Sequence, residues 1–274
     1  MPALQRIVSG RAVLAAETVG TGHPVVFLHA VVGDRRMWSA QLDATGRQCQ
    51  AIAYDRRGFG ETSAQEEDAS AVADLMAVID GVAGGAPAIL VGCSQGGRIA
   101  LDAALRHPTR VRGLVLIAPS VTGAPDITHP PEIAAMLARQ KQAEDAGDLD
   151  RLNAIRARLW LDGPLAPEGR VAGPARALFT DMNAIALRSP PVGASLDTAA
   201  AFPRLGEISA PTLLLWGELD FPHIQERSRH IAHTMPNATG QAIADTAHLP
   251  SLERPQDVTP LILDFVQRCA RAGH

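Results

Sequence analysis

Short apolar runs alternate along the chain with stretches in which apolar residues recur every three or four positions. Runs that are apolar on both faces are typical of buried parallel strands, whereas the second spacing is typical of helices packed on one side. The predicted strands are PVVFLH (24–29), QAIAYD (50–55), PAILVG (87–92), VRGLVLIAP (111–119) and APTLLLWG (210–217). The predicted helices lie at 36–46, 68–83, 95–107, 223–234 and 255–268.

This alternation predicts an α/β fold with a doubly wound, mostly parallel sheet. Residues 11–19 are expected to add an antiparallel edge strand, and ATGQAI (238–243) is expected to form a further strand. In such sheets ligands bind beyond the carboxyl ends of the strands. Chemically active residues are therefore sought in the loops that follow the strands.

The segment 122–200 interrupts the alternation because it holds several helical patterns and no convincing strand. Pro131 is placed to begin one of these helices and Asp148 to cap the next. We predict a helical cap at 122–200, inserted after the sixth strand, the one that ends in VLIAP. Residues 1–121 and 201–274 are predicted to form the core domain.

Three apolar side chains of the predicted cap are candidates for contact with a substrate: Trp160, Phe179 and Met182. An apolar lining would favour a medium acyl chain, a ring or a lactone over a sugar or a peptide. The alternative interpretation is that these residues only pack the cap, which is the usual role of apolar stripes.

Composition excludes several classes of partner. The 274-residue chain has a formal net charge of −4, with no basic stripe for nucleic acid or a membrane surface. The first residues contain no apolar segment long enough for a signal peptide, so a cytoplasmic protein is expected. The pattern gives no indication of oligomeric state.

No cofactor or metal is expected. Cys49, Cys93 and Cys269 are widely spaced and include no C-x-x-C pair, which argues against disulfides and a zinc site. GTGHP lacks the third glycine and the following helix of a dinucleotide fingerprint, and no P-loop occurs. His230 and His233 have helical spacing but no carboxylate that would complete a metal site.

The stretch VGCSQGG places Ser94 between a predicted strand and a predicted helix, with glycines two positions away on either side. A sharp strand-to-helix turn explains this arrangement, because the strained backbone leaves no room for neighbouring side chains. Such a turn would expose the hydroxyl at the helix N-terminus. Serine is a poor nucleophile at neutral pH, so it needs a base that is oriented by an acid.

Two later loops supply candidates for these partners. The strand LLLWG delivers Glu218 and Asp220 to the carboxyl edge, and Asp220 is preferred because it lies past the strand end. The loop DTAHLP carries His248 to the same edge. Structural alternatives exist for each residue: a turn for Ser94, a helix cap for Asp220 and a surface position for His248.

The motifs FLHAVVGDRRMW, YDRRGFGETS, GCSQGGRIALDAALRHP, LLLWGELD and DTAHLPSLERP together resemble the α/β-hydrolase superfamily over nearly the whole chain. The resemblance implies a catalytic triad of Ser94, Asp220 and His248, in the family's chain order. It also implies an oxyanion hole formed by the backbone N–H groups of Val31 and Gln95.

The chain departs from the family in the loop before Val31, where Ala30 stands in place of the usual glycine. We expect His29 to organise this loop rather than act as a base. The DRRGFG motif is expected to be structural, with Arg57 paired to an acid such as Asp34.

Within the superfamily, the chain is most similar to small bacterial esterases and lactonases, such as enol-lactonases. This implies a serine hydrolase that cleaves a small-molecule ester or lactone through an acyl-enzyme. Carbon–carbon bond hydrolases are an alternative, although these usually have asparagine where Cys93 stands. Cofactor-free perhydrolases or haloperoxidases share DRRGFG, and a non-catalytic ligand receptor on this fold is a third alternative.

Overall fold

A computed structural model describes residues 3–271. In this part of the chain nine strands form one sheet: β1 (Ala3–Ser9), β2 (Ala12–Val19), β3 (Pro24–Leu28), β4 (Gln50–Tyr54), β5 (Ser63–Ala64), β6 (Ala88–Cys93), β7 (Val111–Ile117), β8 (Thr212–Gly217) and β9 (Ala238–Ile243). Their order across the sheet is β1-β2-β4-β3-β6-β7-β8-β9, and β5 pairs with β2. From β4 to β9 all neighbours are parallel.

The α-helices of the same residues lie between these strands or after the last of them: α1 (Ser39–Thr45), α2 (Ala71–Ala83), α3 (Gln95–Arg106), α4 (Pro131–Asp145), α5 (Leu149–Arg156), α6 (Gly173–Arg188), α7 (Pro222–Thr234), α8 (Pro250–Glu253) and α9 (Pro255–Arg271). None of them is long and apolar enough to cross a membrane.

The central strands are buried on both faces, as their apolar sequences predict. On β6, Leu90 belongs to the hydrophobic cluster that contacts α2, α3 and α7, whereas the next residue, Val91, belongs to the cluster that contacts α1 and α9. Successive side chains of a strand point to opposite faces, so the sheet lies between two layers of helices. The predicted α/β-hydrolase fold with a mostly parallel sheet is confirmed.

Two details of the predicted sheet are wrong. Residues 12–19 form an antiparallel strand, but β1 pairs with it on the outside, so β2 is not at the edge. The sequence of β1 carries a weak signal because its residues are alternately exposed and half-buried. The helical insertion also follows the seventh described strand, β7, and not the sixth, because β1 and the two-residue β5 precede it.

Between β7 and β8 the chain forms α4, α5 and α6, with a short π-helical turn at Ala157–Asp162. Pro131 begins α4, and the Asp148 carboxylate accepts the Arg151 N–H at the start of α5. A single β-bridge joins Ser195 of this segment to Ala69. The His248 N–H donates to the Trp160 carbonyl of this segment, so the insertion lies against the loop that carries His248.

Candidate active site

Ser94 stands at the junction of β6 and α3, with a φ of 52° and a ψ of −114°. A positive φ is rare for a residue other than glycine and is costly to maintain. Its N–H donates to the Ile117 carbonyl at 2.9 Å, and its carbonyl accepts the N–H groups of Arg98 and Ser120 at 3.1 Å each. These bonds hold the strained turn in place, with the serine half-buried at the start of the helix.

The glycines around Ser94 are required by close backbone contacts. A Cβ atom on Gly96 would lie 2.1 Å from the Leu28 carbonyl oxygen, and one on Gly92 would lie 2.5 Å from the Gly96 carbonyl oxygen. Both oxygens belong to the backbone, so neither can move aside as the end of a flexible side chain could. The glycine spacing of VGCSQGG is thus a steric requirement of the turn.

Asp220 and His248 form a buried pair at the same edge of the sheet. His248 Nδ1 lies 2.8 Å from Asp220 Oδ2. His248 is 2% exposed and Asp220 is 3% exposed. The other carboxylate oxygen, Oδ1, accepts the Phe221 N–H at 2.8 Å. Asp220 therefore fixes the imidazole with one oxygen and the start of the following loop with the other.

A second carboxylate, which the sequence did not reveal, holds the histidine loop. Glu253 is buried, and its oxygens accept the N–H groups of Ala247 and Leu249, on either side of His248. An ion pair with Arg170 compensates its charge. Burial raises the pKa of Glu253, whereas this arginine and the two N–H groups lower it. Only the tertiary fold brings these groups together.

Ser94 is near this pair but is not hydrogen-bonded to it. Among the described residues, no hydrogen bond links the Ser94 hydroxyl to His248. The residue before Ser94 does contact the histidine: Cys93 Sγ lies 3.6 Å from the His248 carbonyl oxygen. Catalytic hydrogen bonds are often long in the absence of substrate. The Asp220–His248 contact is present in the structure, and the serine–histidine contact stays a prediction.

The predicted oxyanion donors, Val31 and Gln95, line the same cavity, and Gln95 directly follows Ser94 in the chain. Neither the Val31 N–H nor the Gln95 N–H donates to an acceptor within the described residues. Ala30 is not among the described non-glycine residues with positive φ, so its methyl group does not strain the loop. This explains why alanine is accepted where glycine is usual.

His29 organises the loop before Val31, as predicted. Its Nε2 accepts the Arg56 N–H at 3.1 Å, and its Nδ1 lies 2.8 Å from the Ala30 carbonyl oxygen. A nitrogen that accepts cannot carry a proton, so the neutral ring is protonated at Nδ1. Burial, with the nearby Arg56 cation, lowers the pKa of His29 well below its usual value. His29 is thus held as a neutral structural group.

The pairing expected for Arg57 is wrong. Its guanidinium binds the carboxylates of Asp74 and Glu67, and Asp34 pairs with Arg36 instead. Asp74 is carried by α2, which places it beside the DRRGFG turn in space. The motif remains structural, but its partner comes from another element.

The three apolar cap candidates are separated by the structure. The Trp160 ring lies 4.7 Å from the His248 ring, and the Trp160 carbonyl accepts the His248 N–H at 3.3 Å. Phe179 and Met182 are instead fully buried in the core cluster that also holds Trp38. The expectation that they contact a substrate needs correction, because a side chain without exposed surface is not available to a ligand. Of these three candidates, Trp160 alone borders the candidate site.

A cavity of about 260 Å³ lies beside this site and is lined by Val31 and Gln95. Arg56 and Arg98 are also among its lining residues. The pattern of residues does not assign these arginines to a site, because it does not distinguish a buried arginine from an exposed one.

The alpha/beta hydrolase family model matches residues 25–261. The chain belongs to the alpha/beta hydrolase family. A pimeloyl-[acyl-carrier protein] methyl ester esterase of Chromobacterium violaceum is 29% identical over 281 residues, covering 93% of this chain and 98% of the relative. A protein of Mycobacterium tuberculosis, provisionally named the non-heme bromoperoxidase BpoC, is 31% identical over 267 residues, covering 92% and 97%.

Among solved structures, a thermophilic esterase from Thermogutta terrifontis, with malate bound, superposes with a TM-score of 0.75 at 26% identity. The match covers 98% of this hydrolase and 99% of that chain. The predicted resemblance to bacterial esterases is therefore confirmed, and the hydrolase is esterase-like in sequence and in fold.

Proposed function

We propose that this hydrolase is a serine esterase that cleaves a small carboxylic ester or lactone through an acyl-enzyme. The single observation that carries the proposal is the buried Asp220–His248 bond at the sheet edge where Ser94 occupies its strained turn. A carboxylate bonded to Nδ1 keeps the proton on that nitrogen and leaves Nε2 free to accept one. This is the state that a general base for serine requires.

In the proposed reaction, His248 Nε2 takes the Ser94 proton as Oγ forms a bond to the ester carbonyl carbon. The carbonyl oxygen becomes an anion and is stabilised by the N–H groups of Val31 and Gln95. The C–O bond to the alcohol then breaks, and the alcohol leaves with the proton from His248. Water repeats the sequence on the acyl-enzyme, releasing the acid and restoring the Ser94 hydroxyl.

A series of p-nitrophenyl esters of increasing acyl length, together with a panel of lactones, tests the proposal. We expect turnover of esters or lactones by the wild-type protein and its loss in Ser94→Ala, with an unchanged melting temperature. Ser120→Ala is a matched control, since this hydroxyl only bonds the Ser94 carbonyl, at 3.3 Å. Absence of turnover in a folded wild-type protein, or full activity in Ser94→Ala, contradicts the proposal.

Peroxide chemistry is a second candidate, which the relative named as a bromoperoxidase favours. The same acyl-enzyme would react with hydrogen peroxide instead of water, giving a peracid that oxidises bromide. Parallel assays of ester hydrolysis and of peroxide-dependent bromination separate the two. Bromination faster than hydrolysis at equal acyl donor would favour this candidate.

A further inference from the structure

The cavity of about 260 Å³ beside Gln95 carries an excess of positive charge. Three arginines line it, together with one carboxylate, Asp74. Arg57 is neutralised by Asp74 and by Glu67, so this carboxylate is already engaged. The other two arginines, Arg56 and Arg98, form no ion pair with any described residue.

Arg56 is buried without a carboxylate partner, at 6% exposure. Its Nη atoms donate to the Gln95 side-chain oxygen and to the His29 and Ala30 carbonyls. The Phe59 ring lies 4.7 Å from the guanidinium carbon, and the buried Nε has no partner. Burial lowers the pKa of Arg56 to about 10. A guanidinium in this position is desolvated and incompletely compensated.

Arg98 adds a second cation from the first turn of α3. Its side chain forms no hydrogen bond with the described residues, and its Nε is buried without a partner. The charge of Arg98 also contributes to the lowered pKa of Arg56. Both arginines line the cavity and their charges repel one another, so an anion bound in the cavity would relieve this repulsion.

We propose that this cavity binds a carboxylate of the substrate, so that the hydrolase acts on esters that carry a second, anionic group. The proposal rests on the proposed esterase function. Arginine binds carboxylates through two parallel N–H···O bonds, and its delocalised charge tolerates desolvation better than an ammonium does. Gln95 lines the cavity and follows Ser94, so the carboxylate would lie a short chain away from the reacting carbonyl.

Paired esters that differ only in charge test this site. Monomethyl glutarate and its neutral isostere, methyl 4-carbamoylbutanoate, place the group on the acyl side. 4-Acetoxybutanoate and 4-acetoxybutanamide place it on the alcohol side. We expect the wild-type kcat/KM to favour the carboxylate of at least one pair by about tenfold or more, the scale of a desolvated charge pair. The favoured pair identifies the side of the ester that enters the cavity.

Arg98→Gln should reduce this selectivity to within about threefold, because the variant removes one of the two cations. Arg268→Gln is the matched control: it removes the same charge from an exposed position on α9, where Arg268 pairs with Asp264. Arg56→Lys, a second variant, keeps the positive charge but loses the guanidinium that can bind a carboxylate through two parallel N–H···O bonds. It should reduce the selectivity less than Arg98→Gln does. Thermal unfolding establishes that each variant is folded.

Equal rates on acid and amide in both pairs would overturn the anion site and leave the esterase proposal intact. An equal loss on acid and amide in Arg98→Gln would also overturn it, since that is the effect of a structural role. If a folded protein hydrolyses none of the esters, the esterase proposal fails, and calorimetry with glutarate tests the cavity alone. Glutarate binding that Arg98→Gln abolishes supports the site; no binding, or tighter binding of inorganic phosphate, overturns the carboxylate assignment.

Discussion

The Asp220→Asn variant tests the orientation of the imidazole by the carboxylate. In the structure Oδ1 accepts the Phe221 N–H and Oδ2 faces His248 Nδ1, each at 2.8 Å. An asparagine keeps its carbonyl oxygen on Phe221, because only an oxygen can accept that N–H. Its NH₂ group must then face Nδ1, which becomes an acceptor, and the proton moves to Nε2. In that tautomer His248 cannot accept the serine proton.

The size of the effect follows from charge and tautomer together. Two unit charges about 4 Å apart attract by about 4 kcal/mol at an effective dielectric constant of about 20. Losing this stabilisation of the imidazolium corresponds to about a thousandfold in rate. The tautomer penalty adds to it, and in a well-studied serine protease the same substitution costs about 10⁴-fold in kcat. We therefore expect Asp220→Asn to lower kcat by about 10³- to 10⁴-fold.

The assay is hydrolysis of p-nitrophenyl butyrate, with the melting temperature measured on the same samples. Asp245→Asn is the matched control, because Asp245 lies in the loop before His248 and its side chain is 82% exposed. Its φ of 54° is one that asparagine adopts readily. A folded Asp220→Asn variant with kcat within tenfold of the wild type would refute the reasoning.

Two further predictions concern stability. Burial, with nearby cationic groups, lowers the pKa of His223 to about 4; as pH falls from 6.5 towards 4, the unfolded chain binds a proton that the folded one refuses, so stability falls. His223→Gln should remove about 1–2 kcal/mol of this loss of stability, a value reduced for partial exposure. The control variant His233→Gln, at an exposed position on the same helix, should leave the loss unchanged. Urea unfolding at pH 7 and pH 4.5 measures both variants, and equal acid sensitivity in wild type and His223→Gln would contradict the predicted effect of His223 on stability. Gly96→Ala should destabilise the fold by about 3 kcal/mol or more, because its Cβ would meet the Leu28 carbonyl oxygen at 2.1 Å. Gly206→Ala, with no atom within 4 Å of the added Cβ, should change unfolding by less than about 0.5 kcal/mol; similar losses in the two glycine variants would contradict the steric argument.

The sequence predicts those parts of the fold that are determined by local pattern. The central strands have apolar residues on both faces, and the glycines around Ser94 are demanded by the backbone of a single turn. The positions of the loops that carry Asp220 and His248 are predicted from the strand that precedes each loop. β1 was missed because a half-exposed strand has no continuous apolar run.

The remaining features depend on contacts between residues far apart in the chain. Arg57 takes Asp74 as its partner because α2 packs beside the turn, and no spacing in the sequence encodes that choice. Phe179 and Trp160 have the same apolar character, yet one is in the core and the other borders the site. The unpaired charge of Arg56 is visible only when every carboxylate near it has been placed.

Fluorophosphonate labelling tests the central claim most directly, because the probe reacts with a serine hydroxyl only where a base activates it. We expect one equivalent of label on the peptide that contains Ser94, located by mass spectrometry. Labelling should be lost in Ser94→Ala and slowed at least about a thousandfold in Asp220→Asn, consistent with the loss of the general base. A folded wild-type protein that stays unlabelled, or that carries the label on another residue, would contradict the account.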